Sequence, residues 1–197
     1  GVHSKAQSGW TALHLAAQDG RVAAVEALLE SRAALDEPHE AGATALHLAA
    51  QNGHPEVVQR LLSSRASPER VAHDGTTALH MASQGGHGAV AELLLGSGAP
   101  ADAATHSEAT ALVLASQAGH APLVQVLLDH AADPNARVGG GWSSLTLAAR
   151  HGHEDALRLL LRRRADVGAQ TGTGQTALHF ASLHGHERVV RRLLAAR

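Results

Sequence analysis

An all-α-dominated solenoid of stacked short helices is the fold this sequence predicts, and three observations predict it. The first is repetition. Thr11-Ala12-Leu13-His14 returns as Thr44-Ala45-Leu46-His47 and Thr77-Ala78-Leu79-His80, each step being 33 residues. It reappears altered as Thr110-Ala111-Leu112-Val113 and Ser143-Ser144-Leu145-Thr146, then intact as Thr176-Ala177-Leu178-His179. A fixed period of this length marks a repeat architecture. The second observation is helical spacing of apolar residues within each repeat. The third is composition: 44% of the 197 residues are hydrophobic but only 2% aromatic, with no tyrosine. A core so poor in rings must be built from Ala, Leu and Val, which favours closely spaced helices.

The elements of one repeat follow in order. Thr44 is placed to cap a short helix whose Leu46, Leu48, Ala49 and Ala50 face inward. Gly53 ends it, because the turn that follows calls for a positive φ. A second helix carries Val57, Val58, Leu61 and Leu62 on one face. The stretch that leads to the next repeat is rich in Gly, Asp, Pro and Ser and reads as a loop or hairpin. Leu13, Ala16, Gly20 and the Leu28-Leu29 pair each found a column that recurs at the same step. Repeats at approximately 6–38, 39–71, 72–104, 105–137, 138–170 and 171–197 make a single domain of 1–197. A lone helix pair cannot bury its apolar face, so the units must stack. No methionine opens the chain, and we read it as an excerpt of a longer protein.

Thr-Ala-Leu-His-Leu-Ala-Ala, then Gly-His, then Leu-Leu and Ala, at period 33, closely resembles the ankyrin repeat over essentially the whole sequence. The usual proline after the threonine is Ala in five units and Ser144 in one. The helix-ending glycine survives as Gly98 and is otherwise Arg32, Arg65, Ala131, Arg164 and Arg197. Glu108 stands where Gly9, Gly42, Gly75, Gly141 and Gly174 mark the hairpins. These departures predict local changes in loop geometry and stability, with the fold retained. The resemblance also gives the repeated histidines structural work. The column of His14, His47, His80 and His179 would hydrogen-bond within and between units. The column of His54, His87, His120, His153 and His186 would help close the helix–helix turn.

Chemistry finds little support. Without cysteine there are no disulfides, thiolate metal sites or cysteine nucleophiles. His151-Gly152-His153-Glu154 and His184-Gly185-His186-Glu187 resemble fragments of metal sites. They fall on successive repeats, about 10 Å apart, while one ion needs ligands near 2 Å; no metal or other cofactor is expected. Gly139-Gly140-Gly141 and Gly172-Thr173-Gly174 lack the Lys-Ser/Thr continuation of a phosphate loop. No nucleophile elbow or paired carboxylates suggest an enzyme. No apolar run is long enough to span a bilayer and no signal pattern opens the chain, which points to cytoplasm or nucleus. Residues 1–136 hold 6 Lys+Arg against 14 Asp+Glu, whereas residues 137–197 hold 10 against 4. Solvated helix ends account for the arginines, and without interleaved aromatics a nucleic-acid partner is not expected.

The resemblance implies a protein- or peptide-binding module that uses its concave face; no small-molecule substrate is expected, and the sequence leaves the oligomeric state open, a monomer being the expectation. Its register places Gln18, Gln51, Gln84, Gln117 and Arg150 in one row, with His151 and His184 beside it. Trp10 and Trp142 lie outside the core columns and are expected to be partly exposed, as interface anchors often are. Two alternatives stand beside this: a structural spacer between domains, and a regulatory or recruiting segment of an enzyme whose catalytic domain lies elsewhere. Asn135, in Ala132-Asp133-Pro134-Asn135 with Leu127 upstream, resembles the sites modified by an asparaginyl hydroxylase. A local hydrogen-bonding role in the turn is the other reading.

Overall fold

The structure is a computed structural model that describes residues 6–196. These fall into two compact units, Gly1–Pro100 and Ala101–Arg197. In the first, α1 (Ala12–Gln18) pairs with α2 (Val22–Glu30), α3 (Ala45–Gln51) with α4 (Pro55–Ser63), and α5 (Ala78–Gly85) with α6 (Gly88–Gly96). In the second, α7 (Ala111–Ala118) pairs with α8 (Ala121–Asp129), α9 (Ser144–His151) with α10 (Glu154–Arg162), and α11 (Ala177–Leu183) with α12 (Glu187–Ala195). The second unit adds a two-stranded hairpin, β1 (Arg137–Val138) and β2 (Trp142–Ser143), which pairs Val138 with Trp142. Single bridges, Val71 to Thr77 and Ala104 to Thr110, mark the same turn elsewhere.

The repeated Thr-Ala-Leu-His starts each first helix through a reciprocal cap. The Thr11 backbone N–H donates to His14 Nδ1 (3.0 Å), and the His14 N–H donates to Thr11 Oγ1 (3.3 Å). Two of the orphan donors of a helix start are thereby satisfied. Thr44 with His47, Thr77 with His80 and Thr176 with His179 repeat the device. Where His becomes Thr146, its Oγ1 accepts the Ser143 N–H (2.8 Å). Val113 has no such atom, so Thr110 caps α7 from one side only.

The second helices α2, α4, α6, α8 and α10 end in a left-handed residue that closes the turn, while Arg197, at the same position after α12, lies outside the described residues. At the end of α4 the Arg65 N–H donates to the Leu62 carbonyl and the Ala66 N–H to the Leu61 carbonyl. The loop geometry expected to change is instead retained, with φ of +58° at Arg32, +72° at Arg65, +62° at Ala131 and +62° at Arg164. Glu108 likewise holds φ +64°. The departures from glycine thus appear as backbone strain, because the bonds on either side of each residue hold the turn in shape.

Within each unit the first helices pack side by side, α3 against α1 and α5, and α9 against α7 and α11. Alanine columns permit this approach: Ala49, Ala82, Ala115, Ala148 and Ala181 are fully buried. Val57, Val58 and Leu61, and in the second unit Leu157 and Leu160, fill the space between the two helix layers. Polar bonds add register from pair to pair. Asp36 accepts the Ser67 N–H (3.3 Å), Asp102 the Asp133 N–H (2.9 Å) and Asn135 the Asp166 N–H (2.8 Å).

The second histidine column reaches further than its own turn. His54 Nε2–H donates to the Gln18 carbonyl (2.9 Å), His87 to Gln51 (3.1 Å), His153 to Gln117 (3.1 Å) and His186 to Arg150 (3.0 Å). Each ring lies on the turn glycine of the preceding pair. A Cβ on Gly53 would sit 2.4 Å from the His87 ring, and one on Gly152 would sit 2.6 Å from His186. Glycine is needed there twice over, for φ of +70° and +75° and for room. The sequence reading identified only the first need.

Candidate protein-binding face

First helices expose one side of themselves, together with the hairpins, on each unit. In the first unit Gln51 and Gln84 are exposed and Gln18 is half-buried. Their helix-end carbonyls are engaged at Gln18 and Gln51 by the histidines described above. In the second unit Gln117, Arg150, His151 and His184 are exposed, and Leu183 beside them is 72% exposed. The hairpin residues Glu40, His73, Asp74 and His106 are exposed as well.

Both tryptophans are half-buried, as their place outside the core columns predicts. Trp10 lies flat on His39, with centroids 5.0 Å apart and planes at 9°, and meets His14 edge-on. His39 was invisible as a partner in the sequence, because its repeat column otherwise carries no ring. Burial first, then the charge of His73, lowers the His39 pKa, with Glu40 opposing. The planar contact with Trp10 therefore involves a predominantly neutral ring near neutral pH.

Trp142 is held on three sides. Phe180, from the next helix pair, packs against it at 4.7 Å, and the Arg150 guanidinium lies 5.2 Å from its ring centroid. Its strand pairing to Val138 fixes the backbone. The Gly139–Gly141 turn is anchored in turn, since the Gly172 N–H donates to the Gly140 carbonyl (2.6 Å). A cation over an indole face is an attractive pairing, and here it also keeps Arg150 oriented. Phe180 fell in a core column by its spacing, so nothing in the sequence singled it out as the platform for a surface ring.

Four imidazoles gather at the ends of α9 and α11. His151 stacks on His153 at 5.9 Å and His184 on His186 at 6.0 Å. Partial desolvation holds the His151 pKa below the ordinary range, and the fields of His153, Arg150, His184 and His186 lower it further. His184 Nδ1 donates to the Phe180 carbonyl (2.9 Å). No group of three or more metal-ligating side chains placed to hold an ion occurs among the described residues. Asn135 is exposed, yet its carboxamide oxygen serves the turn of the next pair, the work Asp36 and Asp102 do at the same repeat position.

Capped first helices, glycine turns and paired second helices define a helix-pair repeat protein. Family comparison makes this specific. A model described as ankyrin repeats (3 copies) matches residues 1–72 and 64–138, and one described as ankyrin repeats (many copies) matches 145–194. The chain belongs to the ankyrin repeat family. No curated protein matches it. Ankyrin repeats are in general non-catalytic modules of protein–protein interaction. No helix among the described residues is long and apolar enough to cross a membrane.

Proposed function

We propose that this protein binds a partner protein or peptide through the first-helix and hairpin face, with Trp142 as principal anchor. The observation that carries this reading is the seating of Trp142. A large ring is fixed by Phe180 below and Arg150 beside it while part of its surface stays open. A side chain already ordered before binding loses little entropy on association, and tryptophan is enriched among residues that dominate interfaces. The matching ligand offers an apolar side chain to the indole and a carboxylate to Arg150, with His151 and His184 bordering the contact. Gln117 on this unit supplies an amide contact of lower weight; on the first unit, taken by itself, Trp10, Gln18, Gln51 and Gln84 offer ring and amide groups to a partner. Hydroxylation of Asn135 would act on an exposed side chain at a turn-to-turn bond rather than on the anchor.

The test begins with a partner isolated by affinity capture and measured by calorimetric titration. Trp142→Ala should lose at least about 2 kcal/mol of binding free energy. Gln59→Ala, exposed on α4, should match the unaltered protein. Equal affinity for Trp142→Ala and the unaltered protein would remove this face from consideration.

A further inference from the structure

We propose a second docking surface on the outer side of α10 and α12, suited to an acidic protein segment and independent of the Trp142 face. Helix α10 carries Arg158 and Arg162 one turn apart, and α12 carries Arg188 and Arg192 at the same interval. From residue 154 to 192 there are seven arginines against four carboxylates. The nearby acids are already engaged: Arg192 crosses to Glu154 (2.7 Å), Arg158 holds Asp155 (3.0 Å) and Arg191 holds Glu187 (2.5 Å). Arg162 and Arg188 are exposed and enter no ion pair among the described residues. Two shallow grooves run over this surface. One of about 320 Å³ lies between Arg158, Arg162 and Arg192 with Leu161 and Ala195 in its walls, and one of about 510 Å³ reaches Arg188 and Arg191.

The charge belongs to this place and not to the repeat. At the position of Arg158 and Arg191 the first unit has Glu26, Gln59 and Glu92; at that of Arg162 it has Glu30, Ser63 and Gly96. The fold does not dictate arginine at these positions, since acidic, neutral polar and small residues all occupy them. Two unpaired guanidiniums beside a partly apolar groove suit carboxylates, which arginine binds with two parallel hydrogen bonds. A nucleic acid fits less well. The two helices carry no aromatic side chain on which a base could stack, and Glu154, Asp155 and Glu187 would face its continuous phosphates. A protein segment can set its carboxylates opposite Arg162 and Arg188 alone and place an apolar side chain at Leu161.

The experiment uses the full chain and a fluorescently labelled peptide of glutamates flanking one leucine, followed by anisotropy. Binding should weaken about tenfold or more in the double variant Arg162→Glu/Arg188→Glu, and should also fall between about 50 and 500 mM salt. Arg162→Gln/Arg188→Gln should give an intermediate loss, while Arg21→Glu and Gln59→Ala should bind as the unaltered protein does. Because neither arginine is paired among the described residues, all these variants should melt together by circular dichroism. Retention of binding in both double variants would overturn the proposal. So would a loss confined to Trp142→Ala, or tighter binding of a DNA duplex than of the peptide. Self-association abolished by the double variant, with no peptide bound, would assign the surface to a second copy of the chain and overturn it too.

Discussion

Helices α3 and α11 begin with the same four residues, Thr-Ala-Leu-His, yet they hold different places in their units. Helix α3 packs between α1 and α5, and every residue from Ala45 to Ala50 is buried. In α11 only Ala177, Phe180 and Ala181 are buried, and Leu183 is 72% exposed. The cap itself is common to both, with the backbone N–H of Thr44 and of Thr176 donating to His47 and His179 Nδ1 (3.2 Å each). The far side of the ring differs. His47 Nε2–H donates to the Thr76 carbonyl (3.2 Å) in the following hairpin, whereas His179 is exposed. A repeat motif therefore carries a fixed local role and a stabilising weight set by its neighbours, as expected when stability sums over interfaces between units.

The largest expected effect tests that weight at the turn glycines. Gly152→Ala must accept a left-handed φ and displace the His186 ring, and should cost about 2–4 kcal/mol. Gly185→Ala meets a similar φ of +70° but has no neighbour within 4 Å among the described residues, and should cost only about 1–2 kcal/mol. Equal losses in urea denaturation would show that the backbone conformation alone matters and that the imidazole gives way freely.

The histidines sharpen the contrast next. His47→Ala removes a cap and a buried inter-pair hydrogen bond and should cost about 2–3 kcal/mol. His179→Ala loses the cap alone, at about 1 kcal/mol or less. The two should also differ with pH. Burial lowers the His47 pKa below 6.5, outweighing the Thr76 carbonyl that raises it, so the unfolded chain takes up the proton first. Below pH 6.5 the unfolded state binds more protons than the folded one, and stability falls as pH drops towards the folded pKa. His14 is lowered in the same way, again mainly by burial. Thermal melts from pH 7.5 down to 5.5 should show a declining midpoint, shallower in His47→Ala; an unchanged slope would place the acid sensitivity elsewhere.

The smallest effect concerns serines at one repeat position. Ser116 is fully buried and its hydroxyl has no hydrogen-bond partner among the described residues, whereas Ser182 is exposed. Ser116→Ala should stabilise by about 1 kcal/mol, since an unsatisfied buried hydroxyl is costly. Ser182→Ala should gain no more than about 0.5 kcal/mol from helix propensity. If both gain equally, the Ser116 hydroxyl is satisfied in solution, by water or by rotation.

Much of this architecture was legible because each device is local. A threonine followed three residues later by histidine, a glycine at each turn and apolar residues at helical spacing can be recognised within one repeat. Comparing repeats then tells which positions face inward. The exposure of Gln51 and Gln84 in the first unit, and of Gln117, Arg150, His151 and His184 in the second, followed from the same register, and so did the partial exposure of both tryptophans. Arg32, Arg65, Ala131 and Arg164 show the limit of such reading: substitution suggested altered loops, and the backbone bonds around them kept the turns.

What the linear sequence determined is thus the period, the helix pairs, the caps and the side of each helix that faces water, all set by steric and hydrophobic rules acting over a few residues. The tertiary structure alone decided which side chains meet across 29 to 38 residues: His186 on Gly152, His47 on the Thr76 carbonyl, His39 under Trp10, Phe180 under Trp142 and Arg192 on Glu154. These contacts depend on how far neighbouring pairs approach and at what angle. Small differences in side-chain volume accumulate to set that geometry, and no single repeat contains it.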